Sequence, residues 1–185
     1  MPERRLAELE LVGNVLCLDF ANTVNSRQVT EHDYLASDRD LLRWAVHAGA
    51  LPDVAHGAPT PVERAWSLRD AVYGVFSAVA ARRRPPRAEL EAVGWAHAEA
   101  AAAAMLVAAG PGFALHWPRP VNPLWPVGRS AGELLLHGDL DRVGECPGCG
   151  WLFLDTTRNG SRRWCSMATC GSRDKMARYR HRVTS

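Results

Sequence analysis

Between residues 11 and 137, apolar side chains recur mostly at three- and four-residue spacing, which predicts helices. The clearest face is Ala65, Leu68, Ala71, Val72, Val75, Phe76 and Val79, a helix that runs until Arg82-Arg83-Arg84-Pro85-Pro86 stops it. Thr60 is its expected N-cap, and Glu63 three residues on would complete a capping box. Asp38 is the expected cap of an earlier helix through Leu41, Leu42, Ala45 and Val46, which Gly49 and Pro52 end. Leu90, Val93 and Ala98 predict a helix over 87–100, and the run 100–109 is ambiguous. Leu134, Leu135 and Leu136 predict a largely buried stretch in a helix over 124–137. Residues 11–25 admit strand and helix, and the shared face of Val15, Leu18, Asn22 and Asn25 favours helix. Residues 27–36 read as a polar loop.

Strand signals are few and short. Met105-Leu106-Val107, Gly110-Pro111-Gly112 and then Phe113 to Trp117 predict a hairpin. Trp151-Leu152-Phe153-Leu154 predicts a second, with Asn159-Gly160 as a type I′ turn and Arg162-Arg163-Trp164 returning. A last helix is expected from Ser172 to about Arg182, packing Met176, Tyr179 and Val183 on that hairpin. The fold class is therefore mainly α. A helical domain with a small β-hairpin (1–141) precedes a compact C-terminal unit of hairpin and helix (142–185).

Cysteine spacing makes that unit a metal site. Four of the five cysteines, Cys146, Cys149, Cys165 and Cys170, fall within 25 residues as C-x2-C, fifteen residues, C-x4-C. This pair-loop-pair pattern is that of one structural zinc ion, because two intervening residues let a tight turn aim both sulfurs at one tetrahedral centre. Pro147, Gly148 and Gly150 supply the turn conformations of a zinc knuckle. Knuckle, hairpin, then a helix bearing the last ligand is a treble-clef-like finger. Zinc fits four thiolates better than iron does, although the donor set alone admits both. Cys17 sits in an apolar run and reads as a core residue.

Charge adds a partner class. The net charge of +2 hides an asymmetry. From Arg158 onward, seven Arg and one Lys face a single acid, which leaves the rest of the chain acidic. A basic tail on an acidic body suggests a polyanion, and DNA or RNA phosphate is the obvious one. Arg158, Arg162, Arg163, Arg173, Lys175, Arg178, Arg180 and Arg182 are the candidate contacts. No apolar run is long enough to span a membrane and no signal peptide is evident, so a cytoplasmic protein with reduced thiols is expected.

The motifs Cys146-Pro-Gly-Cys149-Gly, Phe153-Leu-Asp155, Arg158-Asn159-Gly160-Ser-Arg162-Arg163-Trp164-Cys165-Ser-Met167 and Cys170-Gly171-Ser172-Arg173-Asp-Lys175 resemble the CGNR zinc finger. Leu16-Cys-Leu18-Asp19-Phe20-Ala-Asn22-Thr23-Val24, Asp40-Leu41-Leu42-Arg-Trp44 and Leu68-Arg69-Asp70 resemble the ABATE domain that precedes it in bacterial stress-induced transcription regulators. Ser172 stands where the finger's name-giving tetrapeptide has Asn, and Asn14 where the family usually has a small residue. The resemblance implies a DNA-binding regulator.

Asp19, Asn22, Thr23, Asn25 and Arg27 form the sharpest polar cluster in the body, and polar groups beside a buried run must find partners. Two readings stay open for it: a network that fixes the fold, or a small-molecule pocket completed by Arg39 and Trp44. Asp155 and Asn159 read as structural. No nucleophile–base pair or phosphate-binding glycine loop appears, so a non-enzyme is expected. The leading reading is a zinc-stabilised DNA-binding transcription regulator with a sensing or dimerising N-terminal domain. The alternatives are a zinc-stabilised protein- or RNA-interaction module and, further off, an enzyme built on the Asp19/Asn22 cluster. A homodimer is expected if DNA binding is specific, because one small finger covers little DNA.

Overall fold

The computed structural model describes residues 6, 9–28 and 32–184, except the side chains of residues 181, 183 and 184. Part of the expected 27–36 loop, and the Val183 side chain, lie outside that set. Among the described residues there are six α-helices: α1 (Leu16–Ala21), α2 (Asp38–His47), α3 (Val62–Ala80), α4 (Arg87–Ala103), α5 (Leu124–His137) and α6 (Ser172–Thr184). Two antiparallel pairs complete the structure: β1 (Met105–Ala109) with β2 (Gly112–His116), and β3 (Val143–Glu145) with β4 (Leu152–Leu154). The fold is mainly helical, as its apolar periodicity predicts.

The core gathers Leu18 and Phe20 of α1, Leu41 and Trp44 of α2, Val72, Val75 and Phe76 of α3, Val93 of α4 and Val127 of α5, all fully buried. Phe20 and Trp44 meet as a tilted aromatic pair, 5.0 Å between centroids. Helices α4 and α5 approach closely because glycines line the contact. A Cβ on Gly128 would come within 2.6 Å of the Ala96 carbonyl oxygen. Cys17 is fully buried, and burial pushes its thiol up to about 12.

Several local expectations are corrected. Helix α1 is only six residues long, and Asn22 ends it, so Asn22 and Asn25 share no helical face. Asn14 adopts φ 62 before it, which Asn tolerates better than most residues. Ser37, not Asp38, caps α2, accepting from the Asp40 N–H. Asp38 instead caps α3 from a distance, its Oδ1 accepting from the Val62 N–H at 2.8 Å. The Thr60–Glu63 capping box does not form, because the Thr60 hydroxyl turns to the Ala58 carbonyl. Helix α4 extends through the ambiguous alanines to Ala103. In α5 Leu134 is buried but Leu136 is exposed. The β1–β2 hairpin forms with Met105 opposite His116, yet leaves Leu106 76% and Phe113 84% exposed.

The C-terminal unit differs in which strands pair. Strand β4 pairs back to β3, so the zinc knuckle is the loop of that hairpin, and no return strand forms at 162–164. Asn159-Gly160 lies in a turn closed by the Gly160 N–H on the Thr157 carbonyl. Only Gly160 has positive φ, whereas a type I′ turn needs it at both central residues. Side chains along β4 alternate. Leu152 points into the body core and Phe153 into the cysteine cluster.

Candidate metal centre and basic face

The β3–β4 hairpin holds Cys146 and Cys149 at its end. The Cys146 N–H donates to the Trp151 carbonyl and the Gly150 N–H to the Cys146 carbonyl, both at 2.8 Å. Gly150 is required twice over. It sits at φ +75, and a Cβ there would meet the Arg27 Cβ at 2.7 Å. Cys165 follows the Asp155 turn, where Asp155 accepts from the N–H groups of Thr157 and Arg162. Asp155 is therefore structural, as the sequence suggests. Cys170 lies in a π-helical turn, Met167–Gly171, that runs into α6. Ser172 donates its hydroxyl to the Met167 carbonyl at 3.0 Å, a polar contact that Ser can make in place of Asn.

All four cysteines are buried, and their ligand atoms lie within 4.8 Å of one another. Four sulfurs at about 2.3 Å from a tetrahedral zinc sit roughly 3.8 Å apart, so the cluster fits the ion with little adjustment. The electrostatics agree. Cys146 is held far below the usual thiol range by S–H groups of Cys149 and Cys165, helped by the backbone amides of Cys165 and Gly148. Cys149 is pushed up to about 12, chiefly by donating to Cys146, and Cys165 is pushed up for the same reason. Without a cation, one thiolate forms at the expense of its neighbours. A divalent ion bound among them would deprotonate the whole set. The four cysteines hold one structural zinc, and four thiolates leave no open position for a substrate.

The polar cluster of the body turns out to be the seam that carries this finger. The Asn22 carboxamide, fully buried, donates to the Leu152 carbonyl and accepts from the Leu152 N–H, both at 2.8 Å. Asp19 Oδ1 accepts from the Gly13 N–H at 2.7 Å, and the Gly13 carbonyl accepts from the Leu154 N–H at 2.9 Å. Burial pushes the Asp19 carboxyl up to about 6, against that amide and the Arg162 charge. Thr23 donates to the Phe20 carbonyl and accepts from buried Arg69, whose guanidinium also forks onto Asp33. Arg27 donates its backbone N–H to the Cys149 carbonyl at 2.8 Å, pairs with Asp70 and stacks on Tyr73 at 4.2 Å. Asn25 accepts from the His32 N–H and borders a cavity of about 180 Å³ beside the cysteines. Trp44 is buried in the core and Arg39 is exposed on α2, so neither joins these groups. The cluster does not converge on a common pocket.

The sequence missed several members of this seam. Tyr73 and Ser77 on α3 donate to the Glu145 carboxylate at 2.9 and 2.6 Å. Trp151 Nε1 donates to the Val24 carbonyl at 2.7 Å. Asn14 donates to the Leu154 carbonyl at 2.9 Å.

Of the eight candidate cations, Arg162 faces inward. Its guanidinium donates to the carbonyls of Val12, Trp164 and Cys165 and lies 4.4 Å over Phe153. Bonded to three backbone carbonyls, it is turned away from the basic face. Arg158, Arg163, Arg173, Lys175, Arg178, Arg180 and Arg182 are exposed, with Arg163 over Trp164 and Arg178 paired to Asp174 at 2.8 Å. Met176 and Tyr179 are 59% and 66% exposed, so the expected apolar packing of α6 on the finger does not occur.

No curated protein matches the chain. Residues 14–138 match the ABATE family, described as "Putative stress-induced transcription regulator". Residues 142–183 match the CGNR zinc finger. Neither is an enzyme family, and no helix among the described residues is long and apolar enough to cross a membrane. With a zinc-competent four-cysteine cluster set on a helical body, the chain belongs to the ABATE family and ends in a CGNR zinc finger.

Proposed function

We propose that this protein is a cytoplasmic transcription regulator that lays α6 against DNA. The observation that carries the reading is the helix itself. Helix α6 starts two residues after the last zinc ligand, carries five cations against one acid, and exposes nearly every side chain described along it. Zinc fixes its base, so the charges project from a rigid anchor. Arg173, Lys175, Arg178, Arg180 and Arg182 contact phosphate, with Arg158 and Arg163 extending the face and one arginine free to read a guanine edge. Two copies bind together, because one finger covers too little DNA for specificity. The uncharged β1–β2 hairpin, with Leu106 and Phe113 exposed, is the surface for that pairing.

Exposed Met176 and Tyr179 support a second reading, in which α6 docks a protein or RNA partner. One experiment separates the two: the affinity of zinc-loaded protein for labelled duplex DNA across a salt series, beside a Lys175→Glu/Arg178→Glu/Arg182→Glu variant. The regulator reading expects affinity to fall steeply with salt and the variant's slope to drop by roughly 3, near 0.9 for each phosphate no longer neutralised. Equal binding by both proteins, or by neither, supports the docking reading.

A further inference from the structure

We propose that the cavity between α3, α4 and the start of α5 binds an arylalkylammonium ion, a flat apolar ring carrying one positive charge on a short side chain. The cavity measures about 440 Å³, within the range of small-molecule sites. Its walls are Leu68, Leu124 and two indoles, Trp95 and Trp125. Trp95 is 76% exposed, a large apolar surface left open to water at the mouth of the site. Trp125 is fixed, its Nε1 donating to Glu99 Oε1 at 3.0 Å.

The charges decide the sign of the ligand. Glu99 is already engaged, accepting from Trp125 and, through Oε2, from Arg64 at 3.2 Å. That pair leaves neither a free cation nor a free anion. Glu63 lines the same cavity, and its carboxylate has no partner among the described residues. One carboxylate without an ion-pair partner beside two indole rings favours a cation over an anion of the same shape.

The site also sits where it can matter. Helix α3 lines the cavity with Glu63, Arg64 and Leu68, then bonds the finger's Glu145 through Tyr73 and Ser77 further along. About 14 Å of one helix separates Leu68 from Ser77. Occupancy at one end bears on the element that seats the finger at the other. A role as effector site rests on the regulator reading; the binding itself does not.

The test is titration calorimetry of the full zinc-loaded chain with 1-naphthylmethylamine, 1-naphthylmethanol and 1-naphthoate at neutral pH. The amine is expected to bind about tenfold or more tightly than the other two, through charge and cation–π attraction. Glu63→Gln should erase that preference, and Trp95→Ala should weaken the amine by about tenfold. Both side chains are exposed, so neither change threatens the fold. Equal binding of all three probes, no binding of the amine up to millimolar concentration, or unchanged binding by both variants overturns the proposal. Because no DNA is present, this result and the salt series fail independently.

Discussion

The side-chain amide of Asn22 faces the backbone of Leu152, 130 residues away, and satisfies both its N–H and its C=O at 2.8 Å. In effect Asn22 acts as one residue of a neighbouring strand, so β4 is bonded on the edge that β3 leaves open. Asn22→Ala leaves two buried backbone groups without partners, at about 1–3 kcal/mol each. Chemical denaturation should show a loss of roughly 2–6 kcal/mol. Asn22→Asp keeps the acceptor but loses the donor and buries a charge, so it should be at least as damaging.

Two glycines should respond to alanine with opposite sign. Gly128→Ala drives a Cβ to 2.6 Å from a backbone oxygen of α4, which cannot swing away, and should cost roughly 1–3 kcal/mol. Gly94 lies in α4 with nothing within 4 Å of an added Cβ. Gly94→Ala should therefore stabilise by about 0.5–1 kcal/mol through helix propensity alone. Thermal unfolding of both variants beside wild type reads the difference.

Asp19 gives stability a pH dependence of known sign. Its folded-state carboxyl titrates at about 6, above the ordinary 3.8. The folded state therefore holds this proton more tightly. The stability it lends is complete below the ordinary value and is lost as pH rises through about 6. Asp19→Asn cannot ionise. The variant should gain on wild type between about pH 4 and pH 7, by up to about 3 kcal/mol. Subtracting the two pH–stability curves removes the opposite trend of the zinc thiolates, which both proteins share.

Zinc removal should be local in effect. Chelation at neutral pH is expected to release one ion per chain and to loosen residues 146–182. Helices α1 to α5 should persist, because their core is built around Trp44, Phe76 and Val127. Trypsin should then cut at Arg158, Arg162 and Arg163 while leaving buried Arg69 intact. Arg162 is the sharpest reporter, since its guanidinium is enclosed by the carbonyls of Val12, Trp164 and Cys165 only while the finger is folded.

What the sequence made legible was short in range. Two cysteines separated by two residues need only one turn, and the α3 face repeats every few positions, so both could be read directly. Asn22 and Arg162 could not. An asparagine after an apolar run looks the same whether it lines a pocket or completes a strand, and its partner lies in another element. An arginine in a basic tail looks solvated until the carbonyls around it are known. Asp38 shows the same limit, because it caps a helix that begins 24 residues later. The unpacked stripe of α6 is a different kind of miss. Spacing identified Met176 and Tyr179 as one face, but nothing in spacing says whether a surface exists to receive it.

The alternation of Leu152 and Phe153 makes β4 a party wall, plastered on one side by the helical body and on the other by the metal cluster. Grafting residues 142–183 onto a foreign scaffold would strip that wall on the body side, baring Leu152 and orphaning its two backbone groups. A transplantable version must bring the α1 turn with Asn22, or replace Leu152 with a polar residue and cap the strand edge anew.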